Sequence, residues 1–307
     1  MISFLKLVRY KNLLMVLLTL FLTKYALIHS FISTSNFSNF HFTLLSLSIL
    51  CITAGGYIIN DIFDIKADKI NKPTKVFIGE TITKINAQIS YYIVTSIGLG
   101  LGIYLSLEVN IPTISLVFVG TVIGLYLYSK LFKRLLLIGN LITSFFIGLT
   151  IITLYIFESN HSNASIGLHE ALQEFFNSFS LTVHIFFYTF FAFIITLIRE
   201  IIKDIEDIKG DYAAKMKTLP ILIGSKRAKS IVFIISSLTF CFLIITLKEI
   251  YAYKLLFGYA LLFVVLPFGW FLYKLRITQN TKQYHKLSSL LKIIMVFGIL
   301  SMLLFKL

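Results

Sequence analysis

Stretches of about twenty apolar residues recur along this chain, divided by short connectors that hold most of its charge. Nine such windows can be laid out, near 12–31, 42–60, 86–106, 111–129, 135–157, 181–202, 229–247, 252–273 and 287–305. Each is long enough to cross about 30 Å of hydrocarbon as a helix. The pattern predicts an all-α polytopic membrane protein, a single transmembrane domain over 1–307. The first window is too long for a removable signal peptide and lacks a small-residue cleavage site. An acidic cluster ends the second window and another ends the sixth, so the bundle reads as two four-helix repeats plus a ninth helix. Repeats of that kind place a functional site where they meet. The connector at 158–180 carries Leu168, Leu172, Phe175, Phe176 and Phe179 at helical spacing, which predicts a short amphipathic helix lying in the interface.

Composition supports the membrane assignment: 57% of residues are hydrophobic and 14% are charged. The net charge of +14 is distributed as topology demands. Lysines and arginines gather before the first span and after the second, fourth, sixth and eighth, whereas 30–41, 107–111 and 158–180 contain none. This asymmetry predicts a cytoplasmic N-terminus, cytoplasmic active-site loops and an external C-terminus. Basic excess in those loops suits anionic headgroups; nothing in it asks for nucleic acid or for a protein partner. Cys51 and Cys241 fall inside spans and read as small packing residues. The six histidines are scattered, none beside an acidic cluster in sequence, and read as interfacial or packed.

The two acidic clusters carry the chemistry. Only 14 acidic residues exist, and Asn60-Asp61-x-x-Asp64-x-x-x-Asp68 and Asp204-x-x-Asp207-x-x-x-Asp211 hold six of them as aspartates. At 100° per residue Asp61, Asp64 and Asp68 share one helix face, with Asn60 beside it. Asp204, Asp207 and Asp211 repeat the arrangement, with Glu200 on the same face and Glu206 turned away toward solvent. Gly210 is expected to end the helix, leaving Asp211 on a loop. Carboxylates beside hydrocarbon need a cation, and hard oxygen donors favour Mg2+, which binds through one or two carboxylates plus substrate phosphate. Lys72, Lys75, Lys130, Lys133, Arg134, Arg199 and Lys203 stand nearby as candidate phosphate partners. Neutralising a leaving pyrophosphate lets an allylic C–O bond ionise, and a greasy interior would hold the polyprenyl tail and exclude water.

At this point the chain resembles a known family. Asn60-Asp61-Ile62-Phe63-Asp64-Ile65-Lys66-Ala67-Asp68 looks like the first signature of the UbiA-type intramembrane prenyltransferases, and Arg199 through Asp211 looks like the second. Tyr128-Ser129-Lys130-Leu131-Phe132-Lys133-Arg134, then Gly139-Asn140, is similar to the family's middle segment, and Thr218 through Gly224 to its trailing one. The resemblance implies a prenyl diphosphate donor held between two Mg2+ sites. Asp61, Asp64 and Asp68 would bind metal on one side, and Asp204, Asp207 and Asp211 on the other, with Asp61, Asp64, Asp204 and Asp207 catalytic. Asn60 would ligate metal or hold a ligand carboxylate. Lys133 and Arg134 would grip phosphate, joined by Lys203 and Lys72, and Tyr128 would line the pocket near the reacting carbon or belong to the interfacial aromatic belt.

Thr53 stands where members with aromatic acceptors commonly carry Arg, and Ala54 through Asp61 looks more like the geranylgeranylglyceryl phosphate geranylgeranyltransferase branch. Lys75-Val76-Phe77-Ile78-Gly79 departs from the family's usual loop. The leading expectation is therefore transfer of a C15–C20 or longer prenyl chain to a lipid glycerol-phosphate hydroxyl, with an aromatic quinone precursor as the alternative acceptor. Two other classes are a divalent-cation transporter and a non-catalytic prenyl diphosphate-binding factor. The uncharged stretches 111–127 and 230–247 argue against the first, and retention of all six aspartates argues against the second.

Overall fold

A computed structural model describes residues 2–32, 37–71, 76–159 and 168–306. Among them are nine helical spans: Tyr10–Phe31, Asn39–Asn71, Lys84–Glu108, Pro112–Lys130, Ile138–Ser159, Ser178–Glu206, Ser225–Glu249, Lys254–Ile277 and Thr281–Phe305. Every expected window is a span, and the chain is an integral multi-pass membrane protein. Local signals set several ends. Thr83 caps the third span by accepting from Asn86 N at 3.1 Å, and Asn280 and Gln283 form a capping box at the ninth. Many hydroxyl side chains within spans return a hydrogen bond to their own helix, as Ser129 Oγ does to Leu125 O at 2.9 Å, whereas Ser48 Oγ crosses from the second span to Gly98 O of the third at 2.6 Å.

The second span packs chiefly on the third and fourth, and the sixth on the fifth, seventh and ninth, so each carboxylate-bearing helix is central to its half. Leu20, Phe37, Phe118, Phe157 and Met302 belong to one buried cluster; Phe191, Ile198, Phe268 and Leu291 belong to another. Ile93, Leu116, Phe186, Leu238 and Trp270 are exposed on the outer surface, where lipid replaces water as their surroundings.

One expectation is corrected. The amphipathic segment does not form a separate interfacial helix, because a single helix runs from Leu168 to Glu206. No glycine or proline lies between these residues, so nothing breaks the backbone there. The side chains of Leu168, Leu172, Phe175 and Phe176 lie outside the described residues; Phe179 is exposed.

The first span winds as a π-helix over Thr23–Ile28. Lys24, on this turn, pairs with Glu158 at the end of the fifth span, and both side chains are 1% exposed. Lys24 Nζ also donates to Phe37 O at 2.8 Å and sits 4.9 Å from the Phe37 ring centroid. The pair lies at the end of the bundle away from the aspartates.

Candidate active site

The second span stays helical to Asn71 and presents Asn60, Asp61, Asp64, Asp68 and Asn71 to a common cavity. Asp64 is buried and accepts from Asn60 Nδ2 at 2.8 Å. Lys133 forms an ion pair with Asp64, and its Nζ lies 3.3 Å from Asn60 Oδ1. Burial opposes the charge on Lys133, but the neighbouring Asp64 outweighs it and holds the lysine pKa above its ordinary value. Lys133 comes from the turn Phe132–Arg134 between the fourth and fifth spans. That turn folds close against Gly139, where a Cβ would stand 2.9 Å from Lys133 Cα. Next along the second span, Asp61 Oδ1 takes Arg9 Nη2 at 2.7 Å, and the guanidinium lies 4.9 Å from the Tyr57 ring centroid. The Arg9 pKa is likewise held high, with burial against it and Asp61 for it.

The sixth span supplies Arg199, Glu200, Lys203 and Asp204. Glu200 Oε1 accepts from Arg199 Nη1 at 2.7 Å and from Lys203 Nζ at 3.0 Å. Asp204 Oδ2 accepts from Asn140 Nδ2 at 2.9 Å. The helix breaks at Asp207, not at Gly210, and a second short helix, Ile208–Ala213, carries Asp211 buried within it. The Asn71 side chain holds this break. It donates to Asp207 O at 2.9 Å and accepts from Gly210 N at 2.8 Å. Gly210 serves close approach here, since a Cβ would meet Asn71 Nδ2 at 2.4 Å. Glu206 is not solvent-facing either: its side chain is 13% exposed and pairs with His285 Nδ1 at 2.9 Å.

All six aspartates line one cavity of about 730 Å³, together with Asn60, Tyr128, Lys133, Arg199 and Lys203. Beyond this polar end the wall becomes apolar, with Ile52, Phe118, Phe146, Ile151, Phe191 and Met302. Not every expected phosphate partner can be placed on it. Lys72 and Lys75 lie outside the described residues. Lys130 is exposed and absent from the cavity wall, and so is Arg134, whose carbonyl accepts from Lys217 N at 2.8 Å. Its side chain follows Lys133 on a tight turn and so leaves on a different side.

Among the described residues no three acidic, histidine or cysteine side chains close around one point as a ready-made metal nest. The donor set nevertheless suits Mg2+, which retains waters and needs only one or two carboxylates beside a substrate phosphate. Sequence reasoning passed over Arg9, Asn71, Asn140, His285 and Lys292 as site residues. Four of them lack a local signal, but Lys292 has one: a lysine within an apolar span is a functional candidate by default.

A buried polar face of carboxylates and cations at one end of a long apolar cavity defines an intramembrane enzyme that works on a charged head with a hydrocarbon tail. Residues 13–296 match the UbiA prenyltransferase family, and the chain belongs to it. It is a prenyltransferase. The digeranylgeranylglyceryl phosphate synthase of Sulfurisphaera tokodaii is 32% identical over 228 residues, covering 72% of this chain and 70% of the relative. That of Methanosphaera stadtmanae is 29% identical over 263 residues, covering 86% and 87%. A solved digeranylgeranylglyceryl phosphate synthase matches 99% of this chain and 98% of its own, with 25% identity and a TM-score of 0.61. A UbiA homologue from Archaeoglobus fulgidus, solved with DMAPP and Mg2+, shares the fold at 16% identity and a TM-score of 0.56, covering 98% and 99%.

Proposed function

We propose that this protein transfers a polyprenyl group from its diphosphate to the hydroxyl of a membrane-borne glycerol-phosphate lipid, with Mg2+ as cofactor. The single observation that carries the reading is the gathering of both aspartate clusters on one end of one cavity whose other walls are apolar. Support for the acceptor comes from the relatives, which are digeranylgeranylglyceryl phosphate synthases, and from Thr53 on the cavity wall.

In this reading the diphosphate lies between Asp61, Asp64 and Asp68 on one side and Asp204, Asp207 and Asp211 on the other. Bound Mg2+ supplies positive charge to the phosphate oxygens, which lowers the barrier to breaking the allylic C–O bond. Asn60 and Asn140 fix the carboxylates of Asp64 and Asp204 by hydrogen bonds, so little reorganisation is left for the moment of reaction. Lys133 contributes a fixed cation beside the diphosphate. The apolar wall, including Phe118, Phe146 and Phe191, receives the isoprenoid tail and excludes the water that would quench an allylic cation. The acceptor oxygen then bonds to the donor carbon and loses its proton, giving an ether and free pyrophosphate. The whole chain acts as one domain, with its N-terminus and the carboxylate end of the bundle on the cytoplasmic side, as the distribution of basic residues requires.

The test is incubation of the purified protein with Mg2+, labelled prenyl diphosphates and a lipid extract, followed by mass spectrometry of the products. A prenyl ether of a glycerol-phosphate lipid is expected. Asp64→Ala and Asp207→Ala are expected to lower turnover at least about a thousandfold while the protein stays inserted. Prenylation of aromatic acceptors alone would replace the acceptor assignment, and full activity of both variants would overturn the mechanism.

A further inference from the structure

The cavity holds a second group of cations that the diphosphate site does not use. Arg199 and Lys203 on the sixth span and Lys292 on the ninth all line it, apart from the turn that brings Lys133 to Asp64. Glu200 is the carboxylate paired with Arg199 and Lys203. Lys292 Nζ instead donates to an amide oxygen, Asn12 Oδ1, at 3.0 Å. Arg9, just before the neighbouring first span, is matched by Asp61. Glu200 is thus the carboxylate ion-paired within this group, and Lys292 is held by a neutral amide in a setting where uncompensated charge is costly. A further sign of an incomplete set is Arg199 Nε, which is buried and has no hydrogen-bond partner.

We propose that Arg199, Lys203 and Lys292 form the subsite for the phosphate monoester of the acceptor. The inference rests on the acceptor class given above and adds where its charged group docks. A phosphate monoester carries about 1.5 to 2 negative charges near neutral pH and offers three acceptor oxygens, which suits the Lys292 ammonium held by an amide oxygen and the open Arg199 donor. Two anionic substrates in one cavity repel each other unless each has its own cations. Lys133 and the metal-binding carboxylates serve the donor; the wall shared by the sixth and ninth spans serves the acceptor. Lys203 and Asp204 are consecutive on the sixth span, so the docked phosphate lies beside the reaction centre and places its glycerol hydroxyl next to the donor carbon. Ser288 lies one helical turn from Lys292 on the same cavity wall and offers a hydroxyl to the same group. An aromatic or otherwise neutral acceptor would leave these cations unmatched, which is a direct basis for its rejection.

Steady-state kinetics of the full-length enzyme in vesicles, with a glycerol-phosphate lipid acceptor and its dephosphorylated counterpart, tests this. Lys292→Met is expected to raise the acceptor KM at least about tenfold, to leave the donor KM within about twofold, and to narrow the preference for the phosphorylated acceptor. Lys292→Arg is expected to restore most of the acceptor affinity. An unchanged acceptor KM in Lys292→Met, or a rise in donor KM alone, overturns the subsite while leaving the proposed reaction standing. Wild-type protein that prenylates only a neutral aromatic acceptor overturns both. Should Lys292→Met not accumulate, glycerol 3-phosphate as an inhibitor of the wild-type enzyme decides. Competition against the acceptor supports the subsite, and competition against the donor alone overturns it.

Discussion

Lys133 reaches Asp64 and Asn60 across more than sixty residues of sequence, and that contact fixes its protonation state. Its pKa is raised by Asp64, so the lysine remains a cation across the neutral and moderately alkaline range. The sign follows from linkage. A group with a raised folded-state pKa contributes fully below its unfolded value, about 10.4 for lysine, and loses that contribution only as pH rises through the folded value. Loss of activity below about pH 10 should therefore not come from this side chain. Replacing the charge is another matter. Lys133→Met should raise the donor KM roughly ten- to a hundredfold, through loss of a charge-assisted contact to phosphate. Initial rates against donor concentration, at saturating acceptor, measure this. The lysine was legible as a candidate from its place after the fourth span, whereas its choice of Asp64 was not. Periodicity tells which residues share a face and says nothing about the distant turn that meets it.

The joint between the second span and the short helix Ile208–Ala213 shows how one element sets another. Asn71 grips Asp207 O and Gly210 N, so the end of one carboxylate-bearing helix fixes the turn of the other. Gly210→Ala drives a methyl group into Asn71, with a cost of about 1–3 kcal/mol. The expected outcome is a lower unfolding temperature in detergent and a drop in transfer rate of about ten- to a hundredfold, because misplacement of reacting groups is heavily penalised. Both readings on the same preparation check it. The shared face of Asp204, Asp207 and Asp211 was visible in the spacing, yet the sequence suggested a stop at Gly210. A glycine near a helix end reads as a terminator, and only the approach of Asn71 distinguishes that from a demand for space.

At the scale of the molecule, nine apolar windows were enough to lay out the spans, because hydrocarbon forces every backbone polar group into a helix. Which spans enclose the cavity was less accessible. Arg9 and Asn140 meet the carboxylate-bearing helices, and Lys292 meets Asn12 of the first span, only through packing of the whole bundle. The buried pair of Lys24 and Glu158 has a consequence for how such a bundle comes into being. The two residues are separated by 134 positions, so the lysine is synthesised first and waits for its partner. At roughly 5–20 residues per second, that interval is on the order of ten seconds. An isolated lysine costs about 2.5–3.5 kcal/mol on insertion scales at the centre of a span, and less toward the end where Lys24 sits. The opening helix should thus remain loosely seated, its ammonium drawn toward the headgroups, until the fifth arrives to lock it. Glu158→Gln should leave the finished protein about 3–5 kcal/mol less stable, and adding Lys24→Met should recover much of the loss. Pulse-labelled chains truncated before Glu158 should show an N-terminal segment extractable from the bilayer, and chains released after it should resist extraction.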